Sequence, residues 1–413
     1  LTVFLLCLIL TACPQAPPES VDVILAHDKG NLPMFQENFI KQGEMARKAI
    51  GVGIRAVPSV TPDLFRHQMM AGLPTDQAPE LFVWWSTFRA RELVEYDFVT
   101  DLTDLWDKYA GDYSPDMRAA FTVGNKVYGF PYVVEYWPVW YNRKIFDRLG
   151  LHVPTTWPEF IAVCERLKAA GVTPILSSLQ NSWPAFIWFQ TVLIGEDPAL
   201  YEGLCLGTVA YTDPRVLKAC RVWKDMIDKG YFTDPSVNML TNAGHLWNSE
   251  SYAMTLCGTW YYSTVLLAQG VDEKDIGCFI LPSHNPAAGK NIAFEVGPIF
   301  TAKNAPRAEA ARRLVDWWMS PQGNAAFAAV HQSYPANRNA DTGYLPPIKR
   351  RLLDQIHAGG YQQLNRYWEA TPTPICESTV LKLGEFILKP ESLEQVLADI
   401  DQVAKAYWTG ENP

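Results

Sequence analysis

Two short runs place reactive side chains at the ends of apolar segments. Ala26-His27-Asp28-Lys29-Gly30 follows Val21–Ala26, and Leu81–Trp85 closes on Trp84-Trp85-Ser86. Flat aromatic rings pack against apolar C–H faces, while carboxylate, amide and ammonium groups serve hydroxyls that need a partner once buried. Together they suit a neutral, polyhydroxylated ring, since one carboxylate accepts from two hydroxyls. The chain has 15 Trp and 18 Tyr, more than a core of this length needs. The competing chemistry is hydrolytic: glycosidases flank the scissile bond with two carboxyl groups about 5–10 Å apart. Asp28 and Glu135 would form that pair. Against it, the sequence has no eightfold (β/α) repeat, no Gly-x-Ser-x-Gly, no His-Glu-x-x-His and no phosphate loop.

The surrounding elements must position these groups. Val21–Ala26 alternates as a strand does, and Leu32 to Ala49 sets Phe35, Phe39 and Ile40 on one helical face. Val52–Val57 is a second strand, Pro62 to Ala71 a helix, and Leu81–Trp85 a third strand. This βαβαβ order predicts parallel pairing through right-handed crossovers, with ligands bound beyond the carboxyl ends of the strands. Adjacent strand residues point to opposite faces, so only one of Trp84 and Trp85 is expected to face a ligand. Thr156-Trp157-Pro158-Glu159 predicts a capped helix start whose buried face is Phe160, Val163, Cys164 and Leu167. Val172–Ser177 then opens a second α/β unit, and Asn304 to Met319 is a further helix. Trp140, Trp223, Trp247, Trp317 and Trp318 are expected to serve packing.

Several longer motifs resemble the family 1 extracellular solute-binding proteins, the group that contains maltose-binding protein. Gly129-Phe130-Pro131-Tyr132-Val133-Val134-Glu135 with Tyr141-Asn142 is similar to the family's first crossover. Pro79-Glu80-Leu81-Phe82-Val83-Trp84 is similar to its third strand and binding-site tryptophan. Ala253-Met254-Thr255-Leu256-Cys257-Gly258-Thr259-Trp260 resembles its Ala-Met-x-x-x-Gly-x-Trp, and Leu281-Pro282 and the helix near Ala310 to Gln322 resemble later landmarks. The resemblance implies an α/β fold of the type II periplasmic binding protein class, with two lobes joined by three crossovers. Residues 20–132 and 281–331 would form the first lobe, and 135–278 and 336–413 the second. The hinges would lie near Tyr132–Glu135, Cys278–Leu281 and Ser333–Ala336. The implied function is capture of a mono- or oligosaccharide in the cleft and its delivery to an ABC permease, by a monomer with no cofactor and no catalysis. A non-sugar solute is the alternative.

On that resemblance the stacking residues are Trp84, Trp85, Trp183, Trp260 and Tyr261, with Tyr136 and Trp137 as further aromatics. The hydroxyl binders are Asp28, Lys29, Glu135 and Asn181, joined by Glu295 from its place in Phe294-Glu295-Val296-Gly297. Some positions depart from the maltose-binding pattern. Thr87 and Phe88 replace the acidic–basic pair after the tryptophan, Asn181 replaces a carboxylate and Trp183 a tyrosine. The family's last aromatic wall is not traceable near the C-terminus. These departures point to a glycoside other than maltose.

A net charge of −9 and the lack of a Lys/Arg-rich run argue against nucleic acid. With 48% apolar and 19% charged residues the chain is globular, and 413 residues suffice for two domains. Leu1 to Leu10 is apolar and leads into Leu10-Thr11-Ala12-Cys13, which resembles a bacterial lipobox. Residues 1–13 are therefore expected to be a signal, with Cys13 lipidated, residues 14–20 a Pro-rich tether, and the protein held outside the cytoplasmic membrane or in the periplasm by lipid alone. Of eight cysteines, Cys205 and Cys220 form the plausible local disulfide. The scattered histidines give no metal site.

Overall fold

The computed structural model describes residues 21–410. The expected signal, the tether and the lipidation of Cys13 lie outside the described residues. The chain forms two hydrophobic cores, each built on its own sheet.

The first sheet starts with β1 (Val21–His27), β2 (Val52–Pro58) and β3 (Leu81–Val83). β1 lies between the other two and is parallel to both, as the βαβαβ order predicts. The first connecting helix, Pro33–Ile50, buries Phe35 and Phe39 and ends at Gly51 in the left-handed region. Ile40 is 41% exposed, so it is not part of that buried face. The second, Pro62–Gly72, is capped by the Thr61 side chain. A small hairpin, β4 (Thr122–Val123) and β5 (Lys126–Val127), precedes the long strand β6 (Phe130–Tyr136). The core beneath this sheet gathers Phe39, Phe82, Phe130, Trp318 and Phe327.

The second sheet has the order β10-β7-β9-β8, from β7 (Val139–Asn142), β8 (Thr173–Leu176), β9 (Tyr252–Leu256) and β10 (Ile276–Phe279). The helix Trp157–Ala169 begins with a full capping box between Thr156 and Glu159 and buries Phe160, Val163, Cys164 and Leu167, as its sequence predicts. The helix Ala185–Glu196 is buried nearly all round, which places it at the centre of this core.

β11 (Asn291–Thr301) joins the two halves. It pairs in turn with β12 (Gln362–Asn365), β6 and β3. Cys278 packs against both cores, Phe279 belongs to the second and Ile280 to the first, and within β11 Ile292 and Val296 belong to the first core and Ala293 to the second. After β10 the chain folds back on the helix Ala185–Glu196: the His284 ring meets Glu196 at 3.0 Å, and Asn285 N–H donates to the Gly195 carbonyl. Those contacts hold residues near 281–290 against the second core. The expected helix from Asn304 starts only at Ala308, because the Arg307 guanidinium is drawn onto the buried Glu80 carboxylate at 3.0 Å.

The expected Cys205–Cys220 disulfide is not formed. Both are free and fully buried, as are Cys164, Cys257 and Cys376, and burial pushes the thiols of Cys205 and Cys220 well up. They behave as small apolar side chains of the second core.

Candidate functional site

A cavity of about 300 Å³ lies between the two cores, at the carboxyl ends of β1, β3, β8, β9 and β12. Asp28, Lys29, Trp84, Trp85, Glu135, Asn181, Trp183, Trp260 and Glu295 all border it. Tyr261 does not. It is fully buried, and its hydroxyl donates to the Met239 carbonyl at 2.6 Å, inside the second core. The bond that fixes it explains why the residue next to a site tryptophan faces away from the site. Tyr136 and Trp137 are also buried outside the cavity lining.

The sites left by the strand ends differ. Asp28 is buried and pairs with the Lys29 ammonium at 3.1 Å, and Lys29 also lies over the Phe35 ring. β3 ends at Val83, so Trp84 and Trp85 leave the pleat and both border the cavity instead of facing opposite ways. Their rings are 4.9 Å apart. Trp84 is anchored by its indole N–H to the Arg89 carbonyl at 3.0 Å and packs on Phe65 and Phe82. Trp85 packs instead on the Arg89 guanidinium at 5.0 Å.

After β8 the backbone turns through two left-handed residues, Asn181 at φ 64° and Ser182 at φ 60°. Asn tolerates this conformation and Ser less so, so the turn is a strained feature at the cavity wall. It brings Trp183 to within 6.4 Å of Trp260, ring centre to ring centre. Both rings are partly exposed, in contrast to Trp140, Trp223, Trp247 and Trp318, which are buried in the cores as expected.

Glu135 and Glu295 are direct cross-strand partners on β6 and β11 and so share one face of the sheet. Like charges at that spacing repel, and the structure resolves the conflict differently for each. Glu135 receives the hydroxyls of Thr259 and Ser333, one on each carboxylate oxygen. Burial pushes its carboxyl up, while the Lys349 ammonium and those hydroxyls pull it back. Each oxygen thus already accepts one hydroxyl, while Glu135 still borders the cavity. Glu295 pairs with the Arg366 guanidinium; burial pushes its carboxyl up, against the pull of Arg366.

Arg366, Trp368 and Glu369 border the same cavity and were not anticipated. Trp368 adds a further aromatic ring to the cavity wall, from the C-terminal part of the chain. The segment escaped notice because β12 reads Gln-Gln-Leu-Asn, with no apolar alternation to mark a strand end. Arg366 spans two carboxylates, meeting Glu369 at 2.8 Å through Nε and Glu295 through Nη1. His331, buried against Phe35 and bonded to Asn38 at 2.7 Å, is pushed by burial down to about 3 and stays neutral. Behind the cavity lining, Arg89 is held between Trp85 and Trp368, at 5.0 and 4.5 Å, and the Thr87 hydroxyl donates to the Glu369 carbonyl. Thr87 itself sits at φ 54°, which is rare for a β-branched residue.

A family profile described as bacterial extracellular solute-binding protein matches residues 42–350. An uncharacterized ABC transporter extracellular-binding protein of Pyrococcus horikoshii is 27% identical over 240 residues, covering 50% of this chain and 55% of its own. A second from that organism is 26% identical over 309 residues, covering 70% of this chain and 64% of its own. The chain thus spans between half and two thirds of these relatives. The multiple sugar-binding protein of Streptococcus mutans is 23% identical over 374 residues, 86% of this chain and 84% of that protein. Among solved structures, the bacterial solute receptor AcbH, described as having an exclusive preference for β-D-galactopyranose, superposes with a TM-score of 0.84 at 18% identity, covering 94% of this chain and 99% of that one. A chitin oligosaccharide binding protein gives 0.77 at 21% identity, covering 93% and 98%. At such identities the likeness is one of fold, that of the type II periplasmic binding proteins. The profile, by contrast, takes in most of the sequence, and the chain belongs to the bacterial extracellular solute-binding protein family.

Proposed function

We propose that the protein is the sugar-binding component of an ABC import system. It captures a mono- or oligosaccharide between its lobes and presents the closed form to a membrane permease. One observation carries this reading: the indoles of Trp85, Trp183, Trp260 and Trp368 border one cavity together with Asp28, Lys29, Asn181 and Glu295. The rings suit the apolar C–H faces of a sugar and the polar groups its hydroxyls. A cavity at the small end of the range for ligand pockets, about 300–1,000 Å³, favours a short saccharide. The S. mutans relative and the AcbH and chitin-oligosaccharide receptors, named for sugars, support the same class.

Ligand bridging the two halves favours the closed arrangement by the contacts made only there. The protein works as a monomer without catalysis, anchored by a lipid on Cys13 with the Pro-rich segment as tether. Thermal melting of the purified protein against a saccharide panel tests the reading. At a hundredfold excess over Kd, a bound sugar adds about 2.7 kcal/mol to the folded state. Trp260→Ala should abolish that shift and leave the ligand-free melting temperature in place. A response to amino acids, polyamines or metal chelates but to no saccharide would overturn the assignment. Release of free sugar from a bound glycoside would favour a hydrolase instead.

A further inference from the structure

The charges around the cavity carry the argument further, on the reading that its ligand is a sugar. Two cations border it, Lys29 and Arg366, and both are committed within the wall. Lys29 pairs with Asp28 at 3.1 Å. Arg366 places Nε on one oxygen of Glu369 at 2.8 Å, Nη2 on the other, and Nη1 on Glu295. The rings of Trp137 and Phe186 lie 5.5 and 5.7 Å from the centre of its guanidinium. His331 is neutral, as shown above, and among the described residues no further cation borders the cavity. Opposing the two cations are Asp28, Asp63, Glu135, Glu295 and Glu369.

The wall therefore carries more acids than bases, and three of the five N–H groups of its one guanidinium, the Nε–Nη2 fork included, are already taken by carboxylates. An anionic ligand would give up hydration there without finding a counter-ion. An ammonium-bearing ligand would meet the opposite situation. We propose that the cavity selects uncharged or amine-bearing sugars and rejects sugar acids and sugar phosphates, and that Glu369 sets this selectivity by occupying Arg366. Arg366 would otherwise present a planar fork matched to carboxylate and phosphate.

The test presents the purified protein with three saccharide pools separated by charge: neutral mono- and oligosaccharides, hexosamines and their oligomers, and uronates with sugar phosphates. Retained species are read by mass spectrometry. Retention from the neutral or amine pool, with at least tenfold less from the acidic pool, is the expected result. Glu369→Gln should raise acidic retention at least tenfold, and Glu295→Gln, which frees Nη1 instead, should move it the same way. Acidic saccharides held by the native protein as well as neutral ones would overturn the selectivity. A native protein that rejects acids while both variants also reject them would remove Glu369 and Arg366 from its cause. Retention from no pool at all would instead refute the sugar reading and this inference with it.

Discussion

Replacing Arg89 with alanine should weaken ligand binding about thirtyfold and leave the ligand-free protein folded. Arg89 lies on the helix Phe88–Glu95, with its side chain only 3% exposed. Its guanidinium is 5.0 Å from the Trp85 ring and 4.5 Å from the Trp368 ring. Trp85 belongs to the same half of the molecule as Arg89, so that contact survives opening of the cleft. Trp368 follows β12 and packs against both cores, so its contact with Arg89 is the one expected to be lost when the halves part. A desolvated cation–π contact is worth about 2 kcal/mol. The ion pair to Glu377 at 3.7 Å adds little, because Glu377 is 45% exposed. Loss of about 2 kcal/mol from the closed form corresponds to roughly thirtyfold in Kd when the free protein is mostly open. The bond from the Trp84 indole to the Arg89 carbonyl uses the backbone and survives the substitution. Titration calorimetry reads the affinity, and X-ray scattering reads the radius of gyration with and without sugar. Arg89→Lys keeps the charge without the flat face and should fall between native and alanine. A Kd for Arg89→Ala within twofold of native would refute the idea that this contact holds the cleft shut, as would collapse of the ligand-free fold.

Other substitutions separate site from scaffold. Tyr261→Phe removes a buried hydrogen bond to Met239 and should cost about 1–2 kcal/mol of stability by urea melting, with sugar affinity unchanged. Lys349, fully buried, is pushed by burial from its usual 10.5 down to about 8, with Glu135 pulling it back up. The unfolded chain then holds more protons than the folded one between about pH 8 and 10.5. This lysine's contribution to stability should therefore rise with pH across that window, by up to about 1.4 kcal/mol per pH unit. Lys349→Met should remove that slope relative to native protein, and identical slopes would contradict it. With Cys205 and Cys220 free, a reductant should leave the melting temperature unchanged, whereas a fall of several degrees would reveal a disulfide.

Much of the secondary structure was legible in the chain. Its strands alternate, its helices repeat apolar residues with their own period, and Thr156 with Glu159 announces a helix start. These are local signals, settled by residues a few positions apart. Loops after β1 and β3 followed from the parallel order, which sends their contents to one edge of the sheet. Tyr261 misled because proximity to Trp260 in sequence says nothing about which way a ring turns. The partners of Glu135 were not legible, because Thr259 and Ser333 lie 124 and 198 residues away.

The sequence alone determined that the chain is an α/β protein with aromatic and acidic groups at strand ends, since periodicity, caps and residue chemistry are written locally. Only the tertiary structure decided which of those groups share a cavity, which hydroxyls meet Glu135, and that Arg366, Trp368 and Glu369 join the wall. Thr87 and Glu369 meet across 282 residues of chain. Contacts of that kind depend on how β6 and β11 carry the two halves past one another, and no local pattern encodes the result.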